Sequence, residues 1–326
     1  MFNPLKIFRN RKVGLALGSG GAKGLAHISV IEYLDGMGIP VNMIAGSSIG
    51  AAVGAVYCCG SLAKFKKEML GFSRKELFSV FDITMPKSGL LKGNDFVKFL
   101  KRYIPADARI EDMPIPLSIV ATDYYTGKPV IFKNGNILEA VRASISIPGV
   151  FVPVAYGSSF LIDGGVANPL PLDVLENMGA GFTIASNLHP GLPISPMTDF
   201  VKRQGKKIGI LKKVEMETVD RGRGVSIPDE KPVKAWFKNI EQWLSKGEEK
   251  QYYPSIFEVM SQSIDIMGYV NTQNMLKYSI PTVLVEPDLL SFGTMDFYRA
   301  YDIITEGLRA CSDKKFEFTR KIKIWL

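Results

Sequence analysis

The chain has 326 residues, 46% of them apolar, a formal net charge of +8 and a sequence pI of about 9.2. That length and apolar content suit one large α/β domain, or one domain with a lid-like insertion, and three cysteines without ligand spacing (Cys58, Cys59, Cys311) exclude a disulfide framework and leave a reducing cytosol as the default. The basic balance points to an anionic partner, either nucleic acid or an acidic membrane surface.

The first strand is expected at 13–17 and its helix at 24–35, joined by the loop Gly18-Ser19-Gly20-Gly21-Ala22-Lys23-Gly24. Backbone N–H groups at such a loop form an anion-binding nest. A dinucleotide fingerprint fails because the third glycine position, counted from Gly18, falls on Lys23 and the next strand does not end in an acid. A Walker loop fails because the order is Lys23-Gly24-Leu25. An oxyanion hole needs only donors aimed at developing negative charge, and this loop has them.

The second strand is expected at 43–45, followed by Ala45-Gly46-Ser47-Ser48-Ile49-Gly50 and a helix over 48–58. This is a Gly-x-Ser-x-Gly elbow: a tight strand-to-helix turn projects the Ser48 hydroxyl, and Gly46 and Gly50 let neighbouring backbone pass. Further along, 64–81 reads as an amphipathic helix, 117–121 and 130–132 as a hairpin about Tyr125-Thr126-Gly127-Lys128, and 137–144 as a helix. A second hairpin, 150–156 with 159–162, leads into Asp163-Gly164-Gly165, where an apolar strand delivers one carboxylate at its end. By itself that aspartate reads as an ordinary turn residue capping a hairpin. A helix at 170–178, a strand at 183–186, a late strand at 281–286 and a closing helix at 297–309 complete an alternation that implies a mainly parallel sheet with helices on both faces.

Stretches 36–63 and 143–162 carry no charge, yet their prolines, glycines and turn residues read as buried strands and core helices rather than membrane spans. Residues 1–12 lack the apolar run and cleavage site of a signal peptide. The excess charge concentrates in 201–250, with thirteen Lys and Arg against eight Asp and Glu. In that window Trp236, Ile240, Trp243 and Leu244 share one helical face beside lysines, a pattern that suits either a membrane interface or packing on the main domain.

A serine needs a base, and the chain offers two histidines. His27 sits at an apolar helix start and reads as a packing residue; His189 follows a strand, where a catalytic role is open but unsupported by any motif.

Loop, elbow and Asp-Gly-Gly, in that order and about 25 and 115 residues apart, resemble the patatin-like phospholipases. Arg142-Ala143-Ser144-Ile145-Ser146-Ile147-Pro148-Gly149-Val150-Phe151 looks like that family's Ala-Ser-x-x-x-Pro-x-x-Phe block, and 296–300 with its flanks like the closing helix of bacterial single-domain members. The resemblance implies a three-layer α/β sandwich with its core at about 11–195 and 255–311, and a lid-like or membrane-facing insertion at 192–253. It also implies Ser48 as nucleophile, Asp163 as general base and an oxyanion loop over Ser19, Gly20, Gly21 and Ala22. Lys23, Gly24, Gly46, Gly50, Gly164 and Gly165 would support that site. Where the family has its first loop glycine this chain has Ser19, which makes Gly20 and Gly21 the better donors.

The expected protein is a cytoplasmic serine hydrolase that cleaves phospholipid or lysophospholipid esters at an anionic membrane surface, with Trp236 and Trp243 as candidate contacts. No metal and no cofactor are expected, because no His, Cys or carboxylate cluster has ligand spacing. Alternatives are an acyltransferase using the same acyl-Ser48 intermediate, or a lipid- or protein-binding regulator without catalysis. Nucleic-acid binding is disfavoured, since the basic window carries no recognition motif.

Overall fold

Three of the strands have apolar or small residues on both faces, so each must be covered on both sides. In a computed structural model of the protein, which describes residues 12–80, 91, 93–191 and 256–325, those three form the middle of one eight-stranded sheet. They are β1 (Val13–Leu17), β2 (Met43–Ser47) and β7 (Phe182–Ser186), every residue of which is buried. With β3 (Leu117–Asp123), β4 (Pro129–Phe132), β5 (Val154–Tyr156), β6 (Ser159–Ile162) and β8 (Val283–Val285), the order is β5-β6-β3-β2-β1-β7-β8, and β4 pairs with β3. The β3-β2-β1-β7-β8 run is parallel; β4, β5 and β6 join antiparallel.

Alternation along the strands divides the core. Ala16, Met43, Ala45, Val120 and Ala185 face α7 (Leu172–Asn177) through Leu172, Val174 and Leu175. Leu15, Leu17, Ile44, Ile119 and Ile184 face a larger layer that includes α1 (Ala26–Gly36), α2 (Ile49–Cys58), α3 (Leu62–Leu70), α6 (Ile137–Ser144) and α9 (Ala300–Asp313). This is the helix–sheet–helix sandwich expected from the sequence.

The expected helix over 64–81 is two helices. Gly71 ends α3, and α4 (Arg74–Val80) restarts behind a capping box, in which the Ser73 N–H donates to Glu76 (2.6 Å) and the Glu76 N–H donates to Ser73 Oγ (3.3 Å). The first helix also starts later than expected, because Gly21–Leu25 is a 3₁₀ turn. Three helices were not anticipated: α5 (Asn94–Leu100), α8 (Ile256–Leu276) and α10 (Lys315–Trp325).

The chain divides into two units, Met1–Ser195 with Phe257–Leu326, and Pro196–Ile256. The elements above belong to the first, apart from the initial residue of α8. The insertion expected at 192–253, with Trp236 and Trp243, lies outside the described residues. Among the described residues no helix is long and apolar enough to cross a membrane, and no group of three His, Cys, Asp or Glu side chains is placed to hold a metal ion.

Sheet register brings distant residues together. Ala45 of β2 pairs with Ala16 of β1, and Ser47 pairs with Val120 of β3, so these strands end at one edge of the sheet. β6 runs the other way, pairing Ile162 with Thr122, and so delivers Asp163 to the level where β2 ends.

Candidate active site

Ser48 fills the single position between the end of β2 and the start of α2. Its backbone has φ 54° and ψ −123°, and among the described residues it is the only non-glycine at positive φ. Holding a serine there costs about 1–3 kcal/mol and persists only where the surroundings enforce it. Two glycines allow the enforcement. A Cβ on Gly46 would lie 2.6 Å from the Ala51 backbone, and one on Gly50 would lie 2.2 Å from the Leu17 carbonyl oxygen. Both obstacles are backbone, so no side chain can swing away. Gly50→Ala is therefore expected to cost about 3 kcal/mol; an unchanged urea midpoint would contradict this packing.

The elbow is also tied from the side. The Ser48 N–H donates to Ser144 Oγ (2.8 Å), whose own hydroxyl donates to the Val120 carbonyl (2.6 Å). Two residues on, the Ser146 carbonyl accepts from the Asp163 N–H (2.9 Å), and Thr122 Oγ1 donates to the Asp163 carbonyl (2.8 Å). Arg142 braces the same block through Ser146 Oγ and the Val152 carbonyl. The Ala-Ser-x-x-x-Pro block thus holds both halves of the site, a role its sequence does not reveal.

The halves meet in one hydrogen bond. Ser48 Oγ donates to Asp163 Oδ2 at 2.6 Å, and the Gly165 N–H donates to Oδ1 at 2.7 Å. Both side chains are buried. Burial pushes the Asp163 carboxyl up to about 6, against the hydrogen bonds from Ser48 and Gly165 that favour its charged form. A carboxylate in that range is a far better base than one near 4.

The glycine loop lies against the same place, because Gly21 lines a small apolar cavity with Ser48, Ile49, Ile145, Phe151 and Phe297. Its volume is about 20 Å³, room for roughly one water. Of the four loop amides, Ser19 N–H donates to the Pro169 carbonyl and Ala22 N–H to the Thr294 carbonyl, both at 2.8 Å. Those two are committed to the fold. The Gly20 and Gly21 amides have no acceptor among the described residues.

Neither histidine is bonded to the serine. His27 is fully buried, with Nε2 2.8 Å from the Gly18 carbonyl and Nδ1 2.8 Å from Ser186 Oγ. A carbonyl only accepts, so Nε2 carries the proton and Nδ1 accepts from the serine hydroxyl. Burial lowers its pKa to about 4, which keeps it neutral, and it serves to fasten the loop to β7. His189 lies with Nε2 3.4 Å from Asp265 Oδ1. That aspartate also receives the buried Lys23 ammonium at 3.0 Å. Asp265 escaped the sequence reading, although one signal was there: it is one of two charged residues in the twenty-one of α8.

The profile of the family Patatin-like phospholipase matches residues 15–176, a span that contains the loop, the elbow and Asp163. An uncharacterized NTE family protein of Mycobacterium tuberculosis is 32% identical over 94% of this chain and 91% of its own length. The human patatin-like phospholipase domain-containing protein 6 is 33% identical over 55% of this chain, which spans 14% of that larger protein. Lysophospholipase NTE1 of Scheffersomyces stipitis is 32% identical over 59% of this chain and 13% of its own.

Proposed function

This chain belongs to the patatin-like phospholipase family and is a lipid ester hydrolase, and from that premise we propose that it works through a Ser48–Asp163 dyad on acyl esters of phospholipids or lysophospholipids. The single observation behind the dyad is the 2.6 Å bond from Ser48 Oγ to Asp163 Oδ2. As Oγ attacks the ester carbonyl carbon, its proton passes to Oδ2. The negative charge that forms on the carbonyl oxygen is met by the Gly20 and Gly21 amides. Collapse breaks the bond to the leaving alcohol, which takes the proton from Asp163 and leaves an acyl-Ser48 ester. Water then gives a proton to Asp163 and attacks the acyl carbon; the proton returns to Oγ as the fatty acid departs. The test is labelling by a fluorophosphonate followed by intact mass. Wild type should gain one adduct and Ser48→Ala none; an unlabelled, folded wild type would defeat the reading.

Work at an anionic membrane surface belongs to the same proposal. Supporting it is an exposed aromatic patch. Tyr124 and Tyr125 follow β3 at the edge where Ser48 lies, Tyr125 stacks toward Phe160 with ring centres 6.4 Å apart, and Phe160 and Tyr156 are exposed on the adjoining hairpin. Tyrosines of this kind suit the boundary between headgroups and acyl chains. Tyr124→Ser/Tyr125→Ser is expected to weaken binding to phosphatidylglycerol vesicles about tenfold or more and to leave turnover of a soluble ester unchanged. Trp236→Ala/Trp243→Ala is the parallel arm for the basic window.

A further inference from the structure

The mechanism above relies on donors in the glycine loop, which carries one charged side chain, Lys23. Lys23 lies near the end of the loop, and its long side chain is 2% exposed. Burying an ammonium is costly unless an acceptor is waiting. Among the described residues the acceptor is Asp265, on α8, 242 positions away in sequence.

Asp265 is the buried centre of a stripe whose ends, Ser261 and Asn271, are half-buried. Ser261, Asp265, Gly268 and Asn271 are spaced by four, three and three residues, so they share one face of α8. Each meets a different part of the site's frame. Ser261 Oγ bonds Thr294 Oγ1 at 2.9 Å, and the Thr294 carbonyl accepts the Ala22 N–H of the loop. Asp265 takes Lys23 of the same loop and sits against His189. Gly268 lets the helix pass the His189 ring, which a Cβ would meet at about 3 Å. Asn271 Nδ2 donates to the Val166 carbonyl at 3.0 Å, in the turn that follows Asp163-Gly164-Gly165. One helix therefore meets the glycine loop directly at Lys23 and through Thr294 at Ala22, and the turn behind the candidate base at a third point.

We propose that Asp265 is a positioning residue for ester hydrolysis: by holding Lys23 it keeps the Gly20 and Gly21 amides aimed at the cavity above Ser48. This rests on the dyad reading and adds to it the part that presents the donors. Asp265 itself touches neither substrate nor the reacting atoms. A carboxylate is required there because two cations or donors, Lys23 Nζ and His189 Nε2, converge on one oxygen, Oδ1. Burial alone would raise its pKa, but the bond from His189 and the Lys23 charge hold it below the usual carboxylate range. A loop released from this anchor would still bind ester, since most of the apolar cavity wall, Ile49, Ile145, Phe151 and Phe297 among it, lies outside the loop. It would lose donor alignment in the transition state, and an interaction made only there appears in kcat rather than KM.

The experiment uses the full chain and p-nitrophenyl butyrate, with the folded fraction measured by circular dichroism and thermal melting. Asp265→Asn should lower kcat per folded molecule on the order of tenfold to a hundredfold, below the ~10²–10³ for losing a donor outright, with KM changed by less than about threefold. Asp265→Glu should recover part of the loss. Lys23→Met should lose a similar factor, and Lys23→Met/Asp265→Asn should be no worse than the larger single loss, because both act through one contact. A wild-type kcat in Asp265→Asn, or losses that multiply in the double variant, would overturn the proposal. Should Asp265→Asn fail to fold, Lys23→Met/Asp265→Leu removes both charges: a kcat loss equal to that of Lys23→Met supports the proposal, and wild-type kcat overturns it. Failure of the dyad reading looks different: either wild type escapes fluorophosphonate labelling, or Asp163→Asn keeps much of the wild-type kcat, and neither outcome depends on Asp265.

Discussion

Asp163→Asn is expected to lower kcat for ester hydrolysis by about 10⁴-fold while leaving the fold intact. The size follows from what the side chain does and what it keeps. The amide is close to isosteric, so its oxygen can still accept from the Gly165 N–H and its NH₂ can face Ser48 Oγ. It cannot take a proton. Neither histidine is placed to substitute, for His27 is engaged by Gly18 and Ser186, and His189 lies beside Asp265. Ser48→Ala should cost as much or more, and the double variant little beyond either single, because the two groups carry one proton transfer between them. Steady-state kinetics on a soluble ester decides the matter. An Asp163→Asn variant with a tenth of wild-type kcat would mean that another base serves Ser48.

The second large effect is a stability change that runs opposite to activity. The Asp163 carboxyl titrates near 6 in the folded protein, raised by burial, and near 4 when unfolded. Between those values the folded state binds more protons than the unfolded one, so this group makes stability fall as pH rises from about 4 to about 6. Above that window the cost is fully present, at about 3 kcal/mol. Turnover needs the base form, so kcat/KM should instead rise through a pH near 6 and then level. Asp163→Asn removes the titration. At pH 8 its urea-unfolding free energy should exceed that of wild type by up to about 3 kcal/mol, and the two should converge near pH 4. A less stable variant at pH 8 would show that the charged carboxylate is better solvated by its neighbours than its burial implies.

These results depend on features that were legible to different degrees. Gly46-x-Ser48-x-Gly50 declares itself in sequence because the elbow is local: positive φ at the serine and backbone packed against both glycines are conditions on five adjacent residues. The buried parallel strands were legible for a similar reason, since residues covered on both faces form short uncharged runs whatever the strand order. The motif Asp163-Gly164-Gly165 could be recognised, but its bond to Ser48 could not be derived from spacing. Alone it reads as a turn, and only the antiparallel entry of β6 beside β3 sets it at the end of β2.

The break in the 64–81 helix was written in Gly71 and in Ser73 with Glu76, local signals that an amphipathic count passes over. Asp265 is the opposite case. A carboxylate in a long helix with only one other charged residue signals a buried partner without naming it, and the partner, Lys23, is 242 residues distant. The sequence by itself determined the family, the α/β alternation and the serine elbow, because each is carried by short-range pattern. The tertiary structure alone decided which of the loop amides are still available, which histidine is bound to what, and that α8 meets Lys23, Thr294 and Val166. Those are outcomes of which groups share the low-dielectric interior, and a buried polar group is bonded to whatever the fold brings within about 3 Å of it, however far away in the chain.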